Sequence, residues 1–463
     1  MSASDLPVGA SDHAVRGNRV ARGLATLTPT GRASVPLSWA LYDFANTIYS
    51  YAIVSYAIGL WAVARLGPAD GQFWVLFAGA ASVLLNAIVS PVLGAMSDRT
   101  GRRLRYLLVF TVVTVVGSAA IGLTDSAAIG LILFAIANFG YQAALIYYDA
   151  TLPLVARHDA RGRLSGIGVA VGYLGTIVIA VLILVLDSGS SALTFFLAAA
   201  LFAIFSIPIF TIVREPPKPD AEPFRPGDIA RSWSQLRESI DHARAVPGLG
   251  RFLVGRFLYT DPVNTVIVVM SVFATQAIGL SESLANVVLL VLTVVAVIAS
   301  LGWGVLVERI GPKRTLLIVL GTWCVGLVIA GSILSLPTFL LGGALLGAGL
   351  GGVWTSDRVL LLRLSPPERV GEFFGLYGIA GKFSAVTGPL LYGVIVSTLL
   401  TAGWGSAAYQ VGIFSFLILL LAGAWLLRGV PEPAEGEGAG ELDAHAAAPP
   451  DHLAPVFEPI EPR

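Results

Sequence analysis

Four carboxylates interrupt apolar stretches of this sequence, Asp43, Asp149, Asp261 and Asp357, and a lysine, Lys382, interrupts a fifth. A charge near the centre of a bilayer costs roughly 3 kcal/mol on insertion scales, so it is kept where it faces protein or a water-filled cavity. The neighbours of these residues repeat at helical spacing. Asp43, Asn46, Thr47 and Ser50 follow i, i+3, i+4, i+7; Asp261, Asn264, Thr265 and Ser271 form a similar set, as do Asn138, Tyr141, Gln142, Tyr148 and Asp149. A polar stripe on an apolar helix is either a wet, ligand-facing side or a set of interhelical hydrogen bonds that holds a bundle together. Asp43 and Asp261 read as cavity lining. Asp149 and Asp357 fall nearer helix ends and suit a gate or a structural ion pair equally well. Lys382 is about ten residues into its segment, roughly 15 Å deep, and needs a carboxylate partner, for which Asp261 and Asp357 are the candidates. Such a pair could bind a substrate carboxylate, carry a coupling proton or be static. Arg358 is open to Asp357's neighbourhood or to a substrate acid.

The elements that must hold these groups are membrane helices. The 463 residues are 56% hydrophobic and 13% charged, about half the charge of a soluble chain. A crossing helix needs roughly 20 apolar residues, and twelve such runs are present, near 38–64, 73–96, 105–123, 128–153, 164–186, 191–213, 251–279, 284–306, 314–333, 338–362, 373–398 and 405–427. An even count puts both termini on one side. Loop basic residues gather there, including Arg99, Arg102, Arg103, Arg157, Arg161, Arg163, Arg309, Lys313 and Arg369, against Arg65 alone on the other. By the positive-inside rule both termini are cytoplasmic, in a multi-pass protein expected in the cell membrane. The chain divides into an N-terminal tail over 1–37, six helices over 38–213, a linker over 214–250, six helices over 251–428 and a disordered tail over 429–463. After a Pro-rich start the linker predicts a helix in the membrane interface, capped by Asp228 and striped by Ile229, Trp233, Leu236, Ile240 and Ala243.

The two halves repeat. Tyr42-Asp43-Phe44-Ala45-Asn46-Thr47 echoes Tyr259-Thr260-Asp261-Pro262-Val263-Asn264-Thr265, both with D-x-x-N-T, 218 positions apart. Gly94-x-x-x-Asp98-Arg99-x-Gly101 echoes Gly304-x-x-x-Glu308-Arg309-x-Gly311 at 210, and Asp149 and Arg161 echo Asp357 and Arg369 at 208. Two parallel six-helix bundles follow.

With these residues in view the chain resembles the major facilitator superfamily. Gly94-Ala-Met-Ser-Asp98-Arg99-Thr-Gly101-Arg102-Arg103 fits every fixed position of its loop signature between helices 2 and 3. Within that superfamily it resembles the vacuole-effluxer branch, related to autophagy-linked amino-acid exporters. That likeness rests on Trp39-Ala-Leu-Tyr42-Asp43-Phe-Ala-Asn46, on Phe257-Leu-Tyr-Thr-Asp261-Pro-Val-Asn264-Thr265, and on Pro366 through Gly375, Gly381-Lys382-Phe383 and Gly388-Pro389, across about 38–428. The resemblance implies an all-α membrane protein with the major facilitator fold, twelve transmembrane helices in two pseudo-symmetric six-helix bundles. It also implies that helices 1, 4, 7 and 10, which carry the four carboxylates, line the cavity.

In such a protein Asp43, Asn46, Thr47, Asp149, Asp261, Asn264, Thr265, Asp357, Arg358 and Lys382 would serve substrate and coupling. Gly94, Asp98, Arg99, Gly101, Arg102 and Arg103, with Glu308 and Arg309, would gate, Asp98 near the start of helix 11. There Ser365-Pro-Pro-Glu368 has the form of a capping box. The implied activity is secondary transport of a small solute by alternating access, with an amino acid and export favoured and protons as a possible coupling ion. A non-transporting membrane sensor or scaffold is the alternative. An enzyme is not expected, nor are a metal, a cofactor, a nucleic-acid partner or a required oligomer. The single Cys324 excludes a disulfide, and no Walker A sequence is present. Gly347-Ala-Gly349-Leu-Gly351-Gly352 lacks the strand that a dinucleotide site needs and reads with Gly343 as small-residue helix packing.

Overall fold

The computed structural model describes residues 21–189, 191–218 and 238–432. The described secondary structure is helical throughout, and eleven helices are long and apolar enough to cross a membrane. They are α1 (Ser34–Leu66), α2 (Pro68–Thr100), α3 (Arg103–Ile121), α4 (Ala127–Ala150), α5 (Arg161–Val185), α6 (Ala192–Ile212), α8 (Glu282–Ile310), α9 (Pro312–Ser332), α10 (Leu336–Leu364), α11 (Val370–Thr401) and α12 (Ala407–Arg428). A further long helix, α7 (Leu249–Val272), carries Arg256 and Asp261 and completes the second set of six. The protein is a multi-pass integral membrane protein.

Local chemistry sets the ends. Gly67 at φ 82° and Gly311 at φ 87° turn the chain before α2 and α9, each followed by a Pro whose missing N–H is no loss in a first turn. Ser126 and Ser281 accept the backbone N–H of Ile129 and Leu284 at the starts of α4 and α8. Both α1 and α7 loosen into π-helical turns, over Ser50–Ala57 and Phe273–Ala277.

Each half packs in the same way. In the first, α1 lies on α5 and α6, α4 on α2 and α3, and α3 on α6; in the second, α7 lies on α11 and α12, α10 on α8 and α9, and α9 on α12. Across the halves α2 meets α11 and α5 meets α8. Glycines permit this closeness: a methyl group on Gly94 would strike the Gly371 carbonyl, and one on Gly162 would strike that of Gly304. Gly343, Gly347 and Gly351 seat α10 against α8 at Leu292, Ala296 and Ser300, the packing role expected of them.

The tails and linker differ from expectation at their edges. The first membrane-spanning helix begins at Ser34, inside the expected tail, and Leu27 is buried, its carbonyl accepting from the Arg157 N–H. After α12 the chain stays packed through Glu432, with Val430 buried, its carbonyl bound by Lys313, and Glu432 3.3 Å from Arg314. The disorder expected from 429 therefore does not begin there; 433–463 lie outside the described residues. So do Asp228, Ile229, Trp233 and Leu236 of the expected interfacial helix. Its described end, 238–245, buries Ser239 and Ala243 and leaves Ile240 exposed.

Candidate functional site

The face that holds the ends of the described chain, near Leu27 and Glu432, is shut by two matching clasps. At the end of α2, Asp98 accepts the backbone N–H of Gly371 at 2.9 Å and of Glu372 at 2.8 Å, both in the first turn of α11 in the other half. Arg103 holds the same carboxylate at 2.9 Å. At the end of α8, Glu308 accepts the backbone N–H of Arg163 at 2.9 Å in the first turn of α5 and pairs with its guanidinium at 2.5 Å. Gly371 and Arg163 are 208 positions apart, the spacing of the sequence repeat. A carboxylate on a helix N-terminus meets unpaired N–H groups and the positive end of the dipole. Asp98 thus does the capping expected of Ser365, whose hydroxyl instead turns back to Leu361. A 3₁₀ turn, Pro367–Arg369, intervenes before α11, so Pro is not its first residue.

Of the other expected gate residues, Gly94 gives the close crossing and Gly101, at φ 61°, ends α2. Arg102 and Arg309 are exposed side chains and take no part in the clasp. The linker supports this face at both of its ends. Glu215 accepts the N–H groups of Arg103 and Leu104 at the start of α3, burial pushing its carboxyl up from the usual range. Lys218 binds the Asp98 carbonyl, and His242 reaches Glu372 at 3.2 Å.

Behind the clasps, a cavity of ≈ 440 Å³ opens between the halves. Asp43, Asn46, Thr47 and Ser50 of α1, Asp149 of α4, Asn264 of α7, Arg358 of α10 and Lys382 of α11 line it. Arg358 crosses from the second half to Asp149 at 3.1 Å and approaches Asp43 at 3.9 Å, with its guanidinium over the Trp39 ring. Its carboxylate partners therefore lie in the first half, while its Nε donates to the Trp354 carbonyl of its own helix.

Three of the residues named for substrate and coupling do not line it. Asp357 is fully buried behind the wall, 3.4 Å from Arg256 and accepting from the Tyr377 hydroxyl at 2.8 Å. Asp261 and Thr265 face α11 at Thr387 and Gly388. Lys382 has no carboxylate partner among the described residues. Its ammonium donates to Asn86 and to Ser90, the latter at 2.9 Å, both on α2. Asp261, on α7, meets α11 at Thr387, whereas Lys382 leaves α11 towards α2, so equal depth does not bring them together.

Arg256, Tyr377, Asn86 and Ser90 escaped the sequence reading. Arg256 was findable, because it is a charge within α7 just as Asp261 is; it stacks on Tyr377 at 3.4 Å and lines the cavity. Asn86 and Ser90 carry no such signal in an apolar helix. The wall thus holds two carboxylates, Asp43 and Asp149, and three cations, Arg256, Arg358 and Lys382, one of them bound only to neutral groups. That suits a small solute bearing a negative charge.

Comparison with known proteins agrees with this architecture. The family described as "Vacuole effluxer Atg22 like" matches residues 70–432. This chain belongs to that family. Among curated relatives of this Atg22-like protein, the MFS-type transporter YxiO of Bacillus subtilis (strain 168) is 28% identical over 414 residues, covering 85% of this chain and 94% of the relative. Autophagy-related protein 22 of Coccidioides immitis (strain RS) is 26% identical over 58% of this chain and 48% of its own length. Solved structures place the fold among major facilitator transporters. The human organic anion transporter MFSD10 superposes with TM-score 0.67 at 18% identity, covering 85% of this chain and 98% of its own. The proton:xylose symporter XylE gives 0.67 at 16%, covering 92% and 99%. An outward-facing bacterial ferroportin homologue gives 0.66 at 14%, covering 85% and 98%. The chain therefore has the major facilitator fold and belongs to a transporter family.

Proposed function

We propose that this Atg22-like protein exports a small zwitterion, an amino acid being the favoured class, by rocking two six-helix domains, 38–213 and 251–428, around the cavity between them. The observation that carries this reading is a cavity with charges of both signs behind a shut, doubly clasped face. Lys382, held only by Asn86 and Ser90, would take the solute carboxylate; Asp43, weakly engaged by Arg358 at 3.9 Å, would take its amine. Arg256 and Tyr377 complete the wall, and the Arg358–Asp149 bridge joins the halves at the cavity floor. Competition by the solute for Lys382 would free α11 from α2 and let the clasped face open. Proton coupling would use Asp43, whose ion pair is the longer of the two made by Arg358.

Both termini are assigned to the cytoplasm from the loop arginines, which makes the conformation outward-facing. The near full-length match to a bacterial relative supports placement in the cell membrane. Counterflow in proteoliposomes across a panel of amino acids, their amides and their decarboxylated amines tests the reading, with and without an imposed pH gradient. Exchange of amino acids but not of the amides or amines is expected. Exchange of none, or equal exchange of all three, would remove it. A reporter within 66–71 should read external; a cytoplasmic signal there would reverse the orientation.

A further inference from the structure

Asp261 occupies an unusual position among the intramembrane charges. Asp43 and Asp149 share Arg358, and Asp357 has Arg256, but no cation among the described residues pairs with Asp261. The repeat gives the reason. By its 208-residue offset the counterpart of Arg358 is Ala150, so the first half has no guanidinium to reach Asp261 as Arg358 reaches Asp43. The side chain is nevertheless 3% exposed and does not line the cavity.

Its surroundings are rich in acceptors and poor in protons. Thr387 donates to Asp261 Oδ1, and Thr265 donates to the Asp261 backbone carbonyl at 2.7 Å, so both hydroxyl protons are spent. Asp261 Oδ2 is buried and receives no hydrogen bond. Gly388 keeps the pocket tight, since a methyl group there would strike both Thr265 Oγ1 and Asp261 Oδ2. Thr265 Oγ1 and Asp261 Oδ2 therefore both lie against the Gly388 backbone, side by side on the α7–α11 seam. A buried carboxylate without a partner is costly, and a hard cation is what a set of oxygen ligands offering no proton accommodates.

We propose that Asp261, Thr265 and Thr387 form a Na⁺ site that ties α7 to α11, apart from the solute cavity. It needs no movement of Lys382. Its binding readout does not depend on the transport reading, though any part in driving export does.

The test is thermal unfolding and ²²Na⁺ binding on the purified full-length protein, with NaCl, KCl or choline chloride at equal ionic strength and pH 7.5. Na⁺ should raise Tm saturably by a few degrees over choline, and bound ²²Na⁺ should be displaced by unlabelled Na⁺ but not by choline. Asp261→Asn should abolish both effects. Thr387→Val and Thr265→Val, which keep the carboxylate and the shape, should each weaken ²²Na⁺ binding tenfold or more. Thr322→Val on α9, far from the site, should match the unaltered protein. Stabilisation equal in NaCl and choline would overturn the proposal, as would ²²Na⁺ binding that survives Asp261→Asn. Stabilisation by acid alone would overturn it too, and would assign Asp261 a proton instead. Because counterflow reports on the cavity separately, loss of Na⁺ binding with intact exchange would not be confused with failure of the transport reading.

Discussion

Asp98→Asn should shift the protein from its clasped form towards one open on the termini side. Asp98 spans two helices of different halves with both carboxylate oxygens, one on the N–H of Gly371 and one on that of Glu372. The amide keeps one acceptor and turns an NH₂ towards the other N–H, so one cross-half bond is lost and the remaining one loses its charge. A hydrogen bond to a charged group is worth about 1.5–3 kcal/mol, and Arg103 loses its counterion as well. A net loss of about 3 kcal/mol from the clasped state would multiply the open-to-clasped ratio by roughly a hundred. Double electron–electron resonance on Arg102→Cys with Arg309→Cys, both exposed and in different halves, would report it after Cys324→Ser removes the native thiol. A longer distance should appear or grow in Asp98→Asn. Transport should slow severely with solute affinity within a few-fold. An unchanged distance distribution at normal turnover would show that the Asp98 loop does not hold the gate.

The matching clasp should matter less. Arg163 is 44% exposed in its side chain, water screens the pair, and Glu308→Gln should move the same distance ratio less than about fivefold; a shift as large as that of Asp98→Asn would contradict this ranking. Arg256→Gln strands the fully buried Asp357, a loss of about 3–5 kcal/mol of stability, and the double change with Asp357→Asn should recover most of it in a thermal-melt cycle. In contrast, Lys382→Ala and Asp261→Asn do not share a partner, so their effects on Tm should add, within about 0.5 kcal/mol. A large coupling between them would place the two side chains in contact and contradict the geometry.

Much of the architecture was legible because lipid imposes it. Runs of about twenty apolar residues can only be helices that satisfy their own backbone groups, and the D-x-x-N-T and G-x-x-x-[DE]-R-x-G repeats announced two like halves. The structure carries that symmetry into the identical packing pairs and the paired clasps on Gly371 and Arg163. Asp98 also stood out by its motif, and the structure gives it a contact across the halves, on the N–H groups of Gly371 and Glu372.

What only the tertiary structure decided is which charge meets which. Depth along a helix is readable at 1.5 Å per residue, but the direction of a side chain around the axis becomes meaningful only once the neighbouring helices are placed. Lys382 and Asp261 illustrate this, being close in depth yet turned to α2 and to the α7–α11 seam. Arg358 found Asp149 and Asp43 on the opposite half, partners more than 200 positions away. Asn86 and Ser90 gained their role from the close α2–α11 crossing that Gly94 and Gly371 permit. Composition and period fix the elements because each acts on its own stretch of chain. Ion pairing depends on the angle between two rigid bundles, which no local pattern encodes.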